Sequence, residues 1–202
     1  MAEPDKKILV LFAHPSLEES RVNKQVLALL SNMEHVTVRD LYELYPEYEL
    51  DRQEEQIALI EHDVVIFQHP LYWYSAPPMI KHWIDEVLEF NWAYGPRGTM
   101  LKGKWMMNSI SAGGSPEAYE ANGSNHYSIR EFLRPFEQTA RLCGMHYLPP
   151  FAIMSSYRQT EETIQSHLSD LERLVDQLKS GTFDLKAYEQ ADFINEVNPA
   201  NE

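Results

Sequence analysis

Two short apolar runs, each ending in a His-Pro step, constrain this chain most: Ile8-Leu9-Val10-Leu11-Phe12-Ala13-His14-Pro15 and Val64-Val65-Ile66-Phe67-Gln68-His69-Pro70. Aliphatic and β-branched runs of this length, without polar alternation, suit strands covered by helices on both faces, as in a parallel α/β sheet. Ligands of such sheets gather beyond the carboxyl ends of the strands. The segments after His14 and His69 are therefore where function is sought.

Strands and helices alternate along the rest of the chain. Ser20 can cap a helix whose apolar positions Val22, Val26, Leu29 and Leu30 share one face. Residues 36–38 read as a second strand, 51–61 as a helix and 64–67 as the third strand. Pro77-Pro78 suits a helix start, with Ile80, Trp83, Ile84, Val87 and Leu88 as its buried stripe. Residues 104–110 form the expected fourth strand and 149–154 the fifth. Between them Ser128 and Glu131 have the spacing of a capping box, Pro135 should kink that helix or mark its start, and Gly144 ends it. A last amphipathic helix runs from about Thr160 to Gly181. This divides the chain into one domain over 1–181 and an acidic tail over 182–202, read as a partly ordered appendage.

Composition removes several classes of function. A formal charge of −14 over 202 residues argues against nucleic acid, whose binding needs a basic footprint, and against direct adsorption on anionic lipid. With no apolar run long enough to span a bilayer and no signal-peptide pattern, a cytoplasmic protein is expected. Cys143 is the only cysteine, which excludes an internal disulfide and suits core filler better than a nucleophile. The histidines outside the two strand ends show no metal-ligand spacing.

Three loops carry the chemistry. GxxxxGK[ST] and GxGxxG are both absent. After the first strand, His14 through Asn23 places a hydroxyl, free amides and Arg21 at a helix N-terminus, where a phosphate can be held, although Ser20 as a plain cap explains the segment equally well. After the third strand, Pro70-Leu71-Tyr72-Trp73-Tyr74 offers a flat aromatic wall suited to a planar ring, with packing on helices or a subunit interface as the alternative. After the fourth, Ser111-Ala112-Gly113-Gly114 lets backbone amides approach a ligand closely.

These residues, with Lys81-His82-Trp83-Ile84-Asp85 and Gly103-Lys104, resemble the flavodoxin-like NAD(P)H:quinone oxidoreductases, which include DT-diaphorase and smaller bacterial enzymes. Asp40-Leu41-Tyr42, Tyr45-Pro46, Trp92-Ala93-Tyr94-Gly95 and Leu133-Arg134-Pro135-Phe136 are similar to the ancillary oxidoreductases of glutathione-gated Kef-type potassium efflux systems. The resemblance covers roughly 7–179 and implies a flavodoxin-like α/β sandwich with a five-stranded parallel sheet in the order 2-1-3-4-5.

It also implies bound FMN, with FAD as runner-up, and NADH or NADPH as co-substrate for two-electron, ping-pong reduction of a quinone. His14 and Ser20, Arg21, Val22 and Asn23 would hold the flavin phosphate. Pro70, Leu71, Tyr72, Trp73 and Tyr74 would meet the isoalloxazine, and Ser111, Ala112, Gly113 and Gly114 its pyrimidine edge. Tyr119 matches a tyrosine linked to proton handling, while the accompanying histidine has no clear counterpart, Asn125 and His126 both lying near the spacing. Ser111-Ala112 replaces the commoner Thr-Thr. The implied assembly is a homodimer, with a membrane potassium-efflux protein as partner and hence a peripheral position on the inner face of the membrane. A mainly regulatory flavin-binding subunit and a flavodoxin-type electron shuttle are the rival readings.

Overall fold

The computed structural model describes residues 4–188 and 191–196, and the structural statements below concern these. Six strands form one parallel sheet: β1 (Ile8–Phe12), β2 (Val36–Asp40), β3 (Val64–Pro70), β4 (Trp105–Ser111), β5 (His146–Tyr147) and β6 (Phe151–Ile153). Their order is β2-β1-β3-β4-β5, with β6 also paired to β4. The order expected from the resemblance is thus the order found.

Seven helices cover the sheet: α1 (Arg21–Ser31), α2 (Leu41–Leu44), α3 (Arg52–Glu61), α4 (Pro78–Val87), α5 (Ile129–Phe132), α6 (Arg134–Leu142) and α7 (Glu161–Ser180). Alternation of side chains along each strand divides the core in two. Val10, Phe12, Ile66, Met107 and Phe151 pack with Val26 of α1 and Leu171 of α7. Leu9, Leu11, Phe67, Met106 and Ile110 pack with Leu59, Trp83 and Phe136 of the helices on the other face. The same parity sorts the polar residues at the strand ends. Gln68 and Ser111 fall on the α1 side and hydrogen-bond to Asn23, whereas His69 and Asn108 bond to each other on the opposite side.

The fifth strand differs from the expected 149–154. It is split, with β5 before Pro149-Pro150 and β6 after, both paired to β4. Neither proline has an amide to donate, so the ladder lapses between them and resumes at Phe151. At the Ser128 helix the capping box is present, and of the two expectations for Pro135 the helix start holds in place of the kink. The capping box closes α5 (Glu131 N to Ser128 Oγ 3.2 Å, Ser128 N to Glu131 Oε2 2.9 Å), and Pro135 lies in the first turn of a separate α6. α2, a single turn capped by Asp40, was not anticipated. Cys143 is buried, and burial pushes its thiol up to about 11, so it stays protonated.

Part of the 182–202 stretch packs on the sheet, and the rest lies outside the described residues. Phe183, Tyr188 and Ile194 are buried. The Asn195 amide accepts from Ala152 N (2.9 Å) and donates to Ala152 O (2.8 Å), closing the free edge of β6. Among the described residues no helix is long and apolar enough to cross a membrane.

Candidate functional site

Beyond the carboxyl ends of β1, β3 and β4 lies a cleft of about 310 Å³. His14, Ser16, Glu19, Ser20, Arg21, Val22 and Asn23 line one side, Pro70, Leu71 and Tyr72 the next, and Ser111 and Gly113 the third. Ser156 and Tyr157, just after β6, close it. Most of the residues expected at the three loops are therefore brought together.

Its polar floor is built around Asn23, which is buried. The Asn23 amide donates to Ser20 Oγ and to Ser111 Oγ, both at 2.9 Å, and its oxygen accepts from Gln68 Nε2 at 3.1 Å. Ser20 Oγ also accepts the backbone N–H of Asn23 (3.1 Å), capping α1. With its lone pairs so engaged, the Ser20 hydroxyl hydrogen is left to donate into the cleft. Arg21 and Val22 begin α1, where amides have no intrahelical acceptor. Gln68 Oε1 is buried without a partner among the described residues, an orphan that a ligand hydroxyl or a water would satisfy.

His14 adds a directed donor. The Ser16 N–H donates to its Nδ1 at 3.2 Å, so the neutral ring carries its proton on Nε2. Burial lowers its pKa, with Glu19 pulling the other way, and the neutral form prevails at pH 7. A hydroxyl, an imidazole N–H and first-turn amides at a helix start form a donor set that fits a phosphate. Glu19 opposes an anion here, while the Arg21 guanidinium leans away toward Gln159 O (3.4 Å) and Glu161 (3.9 Å).

The aromatic loop is arranged differently from the continuous wall expected. Tyr72 reaches the cleft, its ring edge-on to His14 with centroids 6.0 Å apart. Trp73 is 93% exposed, and Tyr74 turns away to stack on Phe132 at 4.9 Å. The reason is the backbone. Ser75 N bonds to Tyr72 O (3.0 Å), and the two residues between them have φ of 50° and 62°, as in a type I′ turn. Bulky side chains rarely adopt that conformation, which places strain at the rim of the cleft.

Of the glycine edge, Ser111 and Gly113 line the cleft. Ala112 and Gly114 do not. The Ala112 side chain is buried in the core, and a methyl group on Gly114 would sit 2.7 Å from the Tyr119 ring. A methyl group on Gly113 would meet the Tyr157 ring at 3.0 Å. The glycines thus admit two tyrosines as well as leaving amides accessible. Tyr119 lies outside the cleft, against Gly114, and borders a larger hollow of about 800 Å³ with Arg130, Arg134 and Arg141. Arg141 and Arg134 there have carboxylate neighbours in Glu137 (2.5 Å) and Glu131 (3.9 Å). Burial raises the Tyr119 pKa, so its hydroxyl keeps its proton at neutral pH.

A profile of the flavodoxin-like fold matches residues 6–175. The chain belongs to the flavodoxin-like family. This flavodoxin-like protein is 44% identical over 167 residues to the glutathione-regulated potassium-efflux system ancillary protein KefG of Serratia proteamaculans, covering 83% of this chain and 91% of that one. The solved structure of general stress protein 14 from Treponema denticola, in complex with FMN, matches with a TM-score of 0.81 at 36% identity. That match covers 85% of this chain and 99% of the other. An NADPH-quinone reductase from P. pentosaceus matches with a TM-score of 0.77 at 30% identity, over 84% of this chain and 97% of its own.

Ser156 and Tyr157 were not anticipated. They follow β6, and the rule that points beyond His14 and His69 applies equally to that strand end. Their placement rests on Ser156 N to Ala112 O (2.9 Å) and Ser155 N to Gly114 O (2.8 Å), which lace this loop to the glycine edge.

Proposed function

We propose that this flavodoxin-like protein is an FMN-dependent NAD(P)H:quinone oxidoreductase. The observation that carries the reading is the cleft itself: outward donors from His14, Ser20 and the first turn of α1 at one end, Tyr72 and Tyr157 along it, and Gly113 at the other. Its relatives support the cofactor and the substrates, one being a complex with FMN and another an NADPH-quinone reductase.

When bound, the flavin supplies hydride acceptance from the nicotinamide and two-electron transfer to the quinone. His14, Ser20 and the Arg21 and Val22 amides would hold its phosphate, with Asn23 fixing the serine. Leu71 and Tyr72 would border the ring, and Gly113 would present an amide to its pyrimidine edge, where charge grows on reduction. Tyr119 keeps its proton and would serve the edge of the site beyond Gly114. Exposed Trp73, in the turn that follows the cleft residue Tyr72, together with exposed Tyr74 and Tyr127 on Phe132, favours a homodimer whose second subunit completes the quinone pocket. FMN is preferred to FAD because the solved relative that holds a flavin is a complex with FMN.

The test is the spectrum and mass of the ligand released by denaturing the purified protein, followed by quinone-dependent NAD(P)H oxidation of the reconstituted sample. FMN and turnover are expected. Colourless protein that takes up neither FMN nor FAD would overturn the reading, and a solution mass near 23.5 kDa with full activity would overturn the dimer. The likeness to KefG favours a second role, association with a membrane potassium-efflux protein. Co-purification with such a transporter, and tight binding without turnover, would mark that role as the principal one.

A further inference from the structure

His69 is fully buried at the end of β3, next to the cleft residue Pro70, yet it faces away from the cleft. Its Nδ1–H donates to Pro70 O at 3.0 Å, and its Nε2 accepts from the Asn108 amide at 2.9 Å. Asn108 Oδ1 in turn accepts the Tyr147 hydroxyl at 2.6 Å. The array runs in one direction, from the β5 edge through β4 to the carbonyl of Pro70, and each member donates to the next. The ring of His69 is clamped on its flat side by Phe136, with centroids 5.6 Å apart.

The far side of the same peptide is pinned as well, since Leu71 N donates to Ser111 O at 2.7 Å. The Pro70–Leu71 peptide plane is therefore held from both directions. It is the last fixed point before the strained Tyr72–Ser75 turn, whose central residues have φ of 50° and 62°. A turn held in an unfavourable conformation needs an anchor that over-determines its base. Nothing else on that side of the sheet bonds to the Pro70 carbonyl among the described residues.

We infer that His69 is a positioning residue, which with Asn108 and Tyr147 locks the Pro70–Leu71 peptide and so sets Leu71 and Tyr72 against the ring of the bound cofactor. This rests on the flavin reading of the cleft. The ring acts as a neutral Nδ1–H donor, and its task at Pro70 needs a donor at the δ position only. Asparagine can supply such a donor from its side-chain amide, whereas glutamine reaches the Nε2 position and leaves the carbonyl unpaired.

The experiment compares His69→Asn, His69→Gln and Tyr147→Phe by amide hydrogen exchange in the apo-protein and by FMN titration. His69→Gln should speed exchange at Leu71 and weaken FMN binding about tenfold, the scale of one lost buried hydrogen bond. His69→Asn should keep Leu71 protected and hold FMN affinity within about threefold. Tyr147→Phe, which removes one remote hydroxyl, should shift both readouts less and in the direction of His69→Gln. Equal losses in the Asn and Gln variants, or unchanged Leu71 exchange in His69→Gln, would overturn the inference. Parent protein that binds no FMN would instead refute the cofactor reading, and the exchange arm would still decide whether His69 anchors the turn.

Discussion

Replacing Asn23 by alanine tests the polar floor of the cleft most directly. The side chain makes three hydrogen bonds, to Ser20 Oγ, Ser111 Oγ and Gln68 Nε2, at 2.9, 2.9 and 3.1 Å. The cap from Asn23 N to Ser20 Oγ is backbone and survives. At about 1 kcal/mol for each lost bond, Asn23→Ala should cost about 3 kcal/mol, because Gln68 is left buried with both ends of its amide unpaired. With a urea dependence of roughly 2 kcal/mol per molar, the unfolding midpoint of the apo-protein should fall by roughly 1.5 M. Gln68→Leu should cost much less, since one end of that amide is already an orphan. The double variant should then be more stable than the two losses summed by about 1 kcal/mol, the coupling expected of residues that share a bond. Strict additivity, or an Asn23→Ala midpoint within about 0.3 M of the parent, would refute the argument.

Acid should destabilise the protein through His69, whose pKa burial pulls down to about 4. The unfolded chain takes up that proton near pH 6.5 and the folded one does not, so stability is full above 6.5 and is lost as pH falls toward 4. The loss is about 3 kcal/mol, and His69→Asn should flatten that part of a urea-stability profile between pH 7 and 4. Trp73→Gly should raise the stability of the isolated subunit by about 1 kcal/mol in urea, because glycine accepts the positive φ and within one subunit the ring of Trp73 touches little; a loss at dilutions where only monomer is present would refute this. Truncation after Gly181 removes the buried Phe183, Tyr188 and Ile194 and uncovers the edge of β6. A fall of about 3–6 kcal/mol in stability is expected, with self-association visible by light scattering; an unchanged midpoint would show that the tail contributes nothing.

Strands, helix starts and the three clustered loops were legible because each rests on local chemistry, whereas the sheet order came only from the family resemblance. The apolar runs at Ile8 and Val64, the caps at Ser20, Ser128 and Thr160, and the stop at Gly181 each act over a few residues. Strand ends alone also placed the cleft, since parallel strands deliver every following loop to one edge. The split of the fifth strand could be anticipated from Pro149-Pro150, but its extent depends on where β4 offers partners.

Direction was not legible. Pro70 through Tyr74 look alike as a run of large side chains, yet Tyr72 enters the cleft, Trp73 faces solvent and Tyr74 stacks on Phe132. Sequence alone determined that this chain forms a parallel α/β sheet with His14, Ser20, Asn23, Tyr72 and Ser111 near one edge, because strand apolarity, capping and loop composition are local properties. Only the tertiary structure decided that Gln68 and His69, adjacent in the chain, serve opposite faces, one building the cleft floor with Asn23 and the other anchoring its rim through Asn108. The pleat sets their divergence, but which partner waits on each face is settled by elements far along the chain, α1 bringing Asn23 and β4 bringing Asn108.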